Sequence, residues 1–282
     1  MKNNQLFITS LLVVSLTLFS SCKKESDSSN TFSGIKDSMK VETSNMGFEN
    51  VSKDKAITFD FSPTSTTGQI IKHEYYSLSY SEKAEQAEWV AYELKKSYLK
   101  RNNFQRPYFN EDIKVKTGSA DWRNYRKSGY DKGHLCPAGD MGFDISAYND
   151  TFLTSNISPQ NHDFNAGVWN RLEQKVRYWA AMYDGLYIVT GGVLSDKMGT
   201  IGDEAVIVPK YFFKIVLDNS NGEYKMIAFL VPNKSSDKPL YDFVVSVDSV
   251  EKMTGIDFFP KLEDKIENSL EKRNDYIAWL FN

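Results

Sequence analysis

The residues best suited to chemistry sit in two short stretches. The first, Tyr130 to Met141 (Y-D-K-G-H-L-C-P-A-G-D-M), carries His134, one of three histidines in the 282-residue chain. An imidazole with its ordinary pKa of about 6.5 can take a proton from water near neutral pH, and loses that ability as pH falls through that value. Gly133 and Pro137 suggest a loop that presents the ring. The second stretch, Ser155 to Arg177, supplies amide oxygens at Asn156 and Asn165, then Glu173 and Arg177 at helical spacing. A base, a neutral oxygen ligand, a carboxylate and a guanidinium are the parts needed to hydrolyse a phosphodiester with a hard metal ion.

Each residue also has a plainer role. Asn165 would bind Mg²⁺ weakly through one amide oxygen, the ion keeping most of its waters; Asn is also a favoured helix N-cap. Glu173 lies about 12 Å further along an ideal helix, which suits a role through water better than shared ligation. It could instead pair on the surface with Arg177 at i+4. Asn156 could orient the site or a phosphate, or hold a turn. His73 and His162 read as structural or surface residues, and Cys136 as a small buried filler.

The elements that must position these groups follow from periodicity. Tyr75 to Tyr80 alternates as a strand. Ser81 reads as an N-cap for a helix over Ala84–Leu99, with Ala87, Val90, Ala91 and Leu94 at helical spacing and Trp89 and Tyr92 covering core. Arg101 to Lys116 is a polar loop with aromatics, and Ser128-Gly129 is a turn. Asn165 to Tyr183 reads as a helix with Val168, Leu172, Val176 and Trp179 on one face. Leu186–Val189, Ala205–Val208, Phe212–Leu217 and Tyr224–Val231 read as strands, with a hairpin turn at Asp218–Gly222. Val247–Thr254 reads as a helix stopped by Gly255, and Glu263–Leu280 as another. This mixture predicts an α+β domain around a largely antiparallel sheet flanked by helices.

The chain's address lies in its first residues. Leu6 to Phe19 is an apolar run too short to span a bilayer comfortably, and it fits a secretory signal. Phe19-Ser20-Ser21-Cys22 resembles a bacterial lipobox, which makes residues 1–22 a lipoprotein-type signal with Cys22 as the lipidation site. An ordinary signal peptide with an incidental Cys is the alternative. Residues 23–68, polar and poor in apolar side chains, read as a flexible tether, and 69–282 as the domain. The expected location is an exported lipoprotein held to a membrane, facing the periplasm or the cell surface.

Removal of residues 1–21 leaves 33 basic against 37 acidic side chains, a balance unlike that of a tight nucleic-acid packager. Cys136 is then the remaining thiol, so no intramolecular disulfide is expected. With no C-x-x-C and no His pair at i, i+4, the donor chemistry favours Mg²⁺ over zinc.

The motifs carry a family resemblance. Asp131-Lys132-Gly133-His134 resembles the D-R-G-H signature of the DNA/RNA non-specific endonuclease family, which belongs to the ββα-metal (His-Me finger) nucleases. Asn156-Ile-Ser-Pro-Gln160 is similar to its N-x-x-P-Q. Asn165, Trp169, Glu173 and Arg177 fit its N-x-x-x-W-x-x-x-E-x-x-x-R helix. Weaker matches run through G-G-V-L at 191–194, V-P-K-Y-F-F-K at 208–214 and T-G-I-D-F-F-P at 254–260. The resemblance implies a ββα-metal domain and metal-dependent, sequence-non-specific hydrolysis of DNA or RNA leaving 5′-phosphate ends. The implied cofactor is Mg²⁺, with Mn²⁺ as substitute. It implies His134 as general base, Asn165 as metal ligand, and Glu173 orienting water at the ion. Lys132 stands where the family has Arg and offers a point charge rather than a fork. Arg106, or Arg101 in the alternative, would contact phosphate together with Arg177. The partners implied are nucleic acid and a membrane through the lipid anchor, with no obligate protein partner evident. Two other functions fit the same residues: a catalytically silent surface lipoprotein that uses the fold for binding, or a phosphodiesterase for a small substrate.

Overall fold

The computed structural model describes residues 60–100, 102–219 and 223–281. The signal, Cys22, most of the expected tether, Arg101 and part of the Asp218–Gly222 turn lie outside the described residues.

In chain order the strands are β1 (Ile70–Lys72), β2 (Tyr76–Ser81), β3 (Gln86–Lys95), β4 (Asp131–His134), β5 (Ile157–Gln160), β6 (Gly185–Gly192), β7 (Lys197–Ile201), β8 (Val206–Pro209), β9 (Tyr211–Asp218), β10 (Lys225–Pro232) and β11 (Val244–Val245). The helices are α1 (Ile145–Asp150), α2 (Asn170–Met182), α3 (Val247–Thr254) and α4 (Asp264–Glu271). Seven strands form the main sheet in the order β1-β2-β3-β6-β9-β10-β11, and each neighbouring pair is antiparallel. The sequence between β3 and β6 leaves the sheet, forms the β4–β5 ribbon and α2, and returns. The chemistry-bearing stretches are thus an excursion between two paired strands. The expected α+β class with an antiparallel sheet is what the structure has.

Both faces of the sheet are covered. On one, Val90, Tyr92, Ile188 and Phe229 pack against Trp169, Leu172, Val176 and Trp179 of the α2 region. On the other, Trp89, Phe213, Ile215 and Leu217 pack with Val247, Val250, Phe258 and Leu270 around α3 and α4.

This double coverage explains the main correction. The segment expected as a helix over Ala84–Leu99 is the central strand β3, and Ser81 ends β2 instead of capping a helix. A strand buried on both faces loses the polar alternation that marks a half-exposed one. Here Trp89 and Ala91 enter one cluster while Val90 and Tyr92 enter the other. A register shift opposite Ser79/Tyr80 puts Ala87 on the same side as Val90, which produces the helical-looking spacing.

Two boundaries also move. Asp60–Gly68, expected as the end of the tether, packs on the domain: the Phe61 ring centroid is 3.6 Å from that of Tyr187, and Trp89 Nε1 donates to the Thr64 carbonyl at 2.8 Å. The helix expected over Glu263–Leu280 ends at Glu271. Beyond it the chain crosses to the other face, where Trp279 packs on Trp179 and the Leu280 carbonyl accepts from Trp179 Nε1 at 2.7 Å. Val247–Thr254 is helical as expected, ended by Gly255 at φ 73° in the left-handed region.

Candidate active site

The β4–β5 ribbon brings the two motifs side by side. Asp131 pairs with Gln160, Lys132 with Pro159, Gly133 with Ser158 and His134 with Ile157. Gly133 is required by proximity: a Cβ there would lie 2.1 Å from Gln160 Cδ. Asn156 locks the turn after His134. Its Oδ1 accepts from Cys136 N at 2.8 Å, and its Nδ2 donates to the Cys136 and Thr151 carbonyls, each at 2.9 Å. Of its two sequence-level roles, the structure shows the turn-holding one, because every side-chain contact is to buried backbone. Cys136 is buried as a filler, and burial pushes its thiol pKa up.

After β5, residues Phe164–Trp169 form a π-type turn kinked at Gly167 before α2 begins. Asn165 therefore sits in that turn and does not cap α2. Its Nδ2 donates to Asp131 Oδ2 at 3.0 Å, and His162 Nδ1 lies 3.0 Å from the same oxygen. With the amide nitrogen committed to Asp131, the carbonyl oxygen of Asn165 is the atom available to an ion. The kink also means that Asn165 and Glu173 do not share one straight helix.

His134, Asn165, Glu173 and Arg177 line one cleft of about 560 Å³, together with Asn170 and Gln174. The His134 ring lies against Phe152 and Phe109, with centroids 5.0 and 5.6 Å away. Its Nε2 is buried without a hydrogen-bond partner among the described residues. Burial, helped by the Arg106 charge, lowers its pKa to about 3. The imidazole is thus neutral over the whole neutral range, its neighbours moving its titration below the value of about 6.5 that a solvated histidine has.

Arg106 reaches the same place through the same rings. Its guanidinium carbon is 5.3 Å from the Phe152 centroid and 5.6 Å from that of Phe109. Lys132 Nζ lies 5.4 Å from the Phe109 centroid, and burial together with Arg106 lowers its pKa. Two cations are therefore gathered beside His134 on an aromatic platform.

Glu173 is not a surface acid. Burial raises its pKa to about 7, with the Asp140 charge adding to the rise and Lys214 and Arg177 opposing it. Arg177 makes a long contact to Glu173 at 3.9 Å, but its main partner is Asp140 Oδ1 at 2.6 Å. Asp140 also accepts from the Tyr92 hydroxyl at 2.9 Å. Lys214, on β9, is fully buried, and its Nζ donates to Thr190 Oγ1 at 2.6 Å.

Asp131, Asp140, Lys214 and the Phe109–Phe152 pair escaped the sequence reading. Asp131, Asp140 and Lys214 stand inside motifs already quoted, but nothing in their spacing assigns a partner. Neither His73 nor His162 lines the cleft: His73 is buried against Asp112 at 2.8 Å, and His162 is exposed beside Asp131.

A neutral imidazole, an amide oxygen, a carboxyl poised near neutrality and flanking cations around one polar cleft define a hydrolase site on a ββα unit. Residues 55–265 match the family model for DNA/RNA non-specific endonuclease. Over 209 residues the chain is 32% identical to mitochondrial endonuclease G of Homo sapiens, covering 69% of this chain and 70% of that one. It is 31% identical over 218 residues to a nuclease of Syncephalastrum racemosum, covering 69% and 68%. A solved structure of the EndoG/EndoGI complex superposes with a TM-score of 0.66 at 29% identity, covering 70% of this chain and 88% of that one. The chain belongs to the DNA/RNA non-specific endonuclease family. It is a nuclease, a hydrolase built on the ββα fold, and the family is metal-dependent.

Proposed function

We propose that this chain hydrolyses phosphodiester bonds of DNA or RNA without sequence preference, leaving 5′-phosphate ends, with the cleft around His134 as its catalytic centre. The observation that carries the reading is that cleft: His134, Asn165, Glu173 and Arg177 line it together.

His134 acts as general base. Nε2 is buried, so Nδ1 is the ring nitrogen left to face the cleft and take a proton from water. Asn156, by holding the Cys136 backbone, keeps the ring in position. Arg106, Lys132 and Arg177 hold phosphate, Lys132 as a point charge. Contacts of this kind read backbone and not base edges, which is the reason for weak sequence preference.

The residues fit a hard ion. Asn165 presents a neutral oxygen fixed by Asp131, and Glu173 lines the same cleft, where it could act through water at the ion. Mg²⁺ (or Mn²⁺) held there would stabilise the negative charge that develops on phosphate and leaving oxygen. Glu173, with its pKa of about 7, can hold or release a proton at a water near neutral pH.

The purified protein should nick supercoiled plasmid and degrade RNA in Mg²⁺, stop in EDTA, and recover with Mg²⁺ or Mn²⁺. Undiminished cleavage after rigorous chelation would overturn the metal role. No cleavage with any divalent ion would overturn the catalytic reading. The lipobox-like Phe19–Cys22 supports a further part of the proposal, an exported protein anchored by lipid at Cys22 and facing the periplasm or cell surface.

A further inference from the structure

A second acidic centre lies on the other face of the sheet from His134. Asp248 and Glu251 stand on α3, Asp257 follows the Gly255 stop, and Glu267 and Glu271 stand on α4. One carboxylate oxygen each from Asp257, Glu267 and Glu271 lie within 4.8 Å of one another, and so do oxygens from Asp248, Glu251 and Glu271. Acidic clusters alone are common on protein surfaces, but this one differs in a specific way. Glu271 is only 7% exposed, and the Oε1 atoms of Glu271 and Glu267 are buried with no hydrogen-bond partner among the described residues. Buried carboxylate oxygens are normally satisfied, because leaving them bare forfeits their hydration. None of the ion pairs among the described residues brings Lys, Arg or His to any of the five acids.

We propose that Asp257, Glu267 and Glu271 form a second divalent-cation site, of the Ca²⁺ class, that ties the loop after α3 to α4. Both residues with an unpartnered oxygen, Glu267 and Glu271, belong to this set, whereas Glu251 already spends Oε1 on the Phe258 N–H at 2.9 Å. Three carboxylates on two backbone segments, the loop after α3 and α4, suit Ca²⁺, which accepts six to eight oxygens in flexible geometry; Mg²⁺ demands a strict octahedron and keeps its waters. The site has no part in hydrolysis. It secures the corner from which the chain departs toward Trp279.

Burial and mutual repulsion give the same picture from another side. They raise the pKa of both Glu267 and Glu271, which shows how poorly the corner holds bare negative charge.

The test uses the full chain stripped with chelator, titrated calorimetrically with CaCl₂ or MgCl₂ and melted at about pH 8. Calcium should bind, and should raise Tm by about 5–10 °C at a hundredfold excess over Kd. The shift should persist in Asn165→Ala, which separates this site from the catalytic cleft, and in Asp248→Asn. It should vanish in Glu271→Gln, and the exposed Asp257→Asn should weaken binding at least tenfold. In EDTA, Glu271→Gln should melt at or above wild type, since it removes a buried charge. No heat and no shift up to about 10 mM Ca²⁺, beyond the weakest extracellular Ca²⁺ sites, would overturn the proposal. So would a shift that survives unchanged in both Glu271→Gln and Asp257→Asn, or binding of Mg²⁺ in preference to Ca²⁺.

Discussion

His134 packs against two adjacent phenyl rings, Phe109 and Phe152, with Nε2 sealed off, and that environment decides which protonation states the cleft can use. Its lowered pKa of about 3 keeps the ring in the neutral form a general base must have across the neutral range. His134→Ala should lower kcat by about 10²- to 10⁴-fold, the usual worth of a positioned base, while the melt shows a folded protein. Glu173, not His134, titrates near neutrality. It carries its charge only above about pH 7, so a rate that falls as pH drops through 7 should flatten in Glu173→Gln. A fall centred near 6.5 that persists in Glu173→Gln and disappears in His134→Ala would contradict this assignment. Asn165→Ala should weaken the use of Mg²⁺, with excess ion restoring part of the activity.

Among the elements, the β4–β5 ribbon is closely constrained. A methyl at Gly133 meets the buried Gln160 side chain head on. Gly133→Ala should therefore cost about 1–3 kcal/mol of overpacking, a Tm drop of roughly 3–10 °C. Combining it with Gln160→Ala should lose less than the sum of the two, because the second change removes the atoms that clash. Strictly additive losses in the melts would show that the close approach is not the cause. The π-type turn at Phe164–Trp169 is the second critical element, since it turns Asn165 toward Asp131 before α2 starts.

At the scale of the molecule, its buried titratable groups pull stability in opposite directions. His134 is folded with a depressed pKa, so its contribution is present above about 6.5 and is lost as pH falls from there toward 3. Glu173, Glu267 and Glu271 are folded with raised pKa values of about 7, 7 and 8 against an ordinary 4.5. Their contribution is full below 4.5 and is lost as pH rises through 7 to 8. In EDTA the protein should therefore melt lower at pH 8.5 than at pH 6; a higher Tm at 8.5 would show these carboxyls are not buried as acids. The address is a separate question at this scale. Cys22→Ser should abolish lipid attachment and leave the protein unprocessed or soluble. A mature N-terminus found by mass spectrometry to be an unmodified residue other than Cys22 would refute the anchor.

The sequence alone determined the chemistry. Residue types at His134, Asn165, Glu173 and Arg177, two motifs in order, and the apolar runs of β6, β9 and β10 were enough to name a nuclease family and an antiparallel sheet. These signals are local: a motif is contiguous, and an eight-residue strand carries its pattern in its own side chains. What only the tertiary structure decided depends on neighbours distant in the chain. β3 reads as a helix until both of its faces are covered, because burial on two sides erases alternation. Asn165 acquires its orientation from Asp131, Arg177 from Asp140, and Glu173 its raised pKa from burial. The histidine pKa of about 3 likewise comes from enclosure by Phe109 and Phe152 and from the Arg106 charge, none of which a linear spacing rule can supply. Proton affinity is set by what surrounds a group in space, and the sequence order of a chain says little about that until it folds.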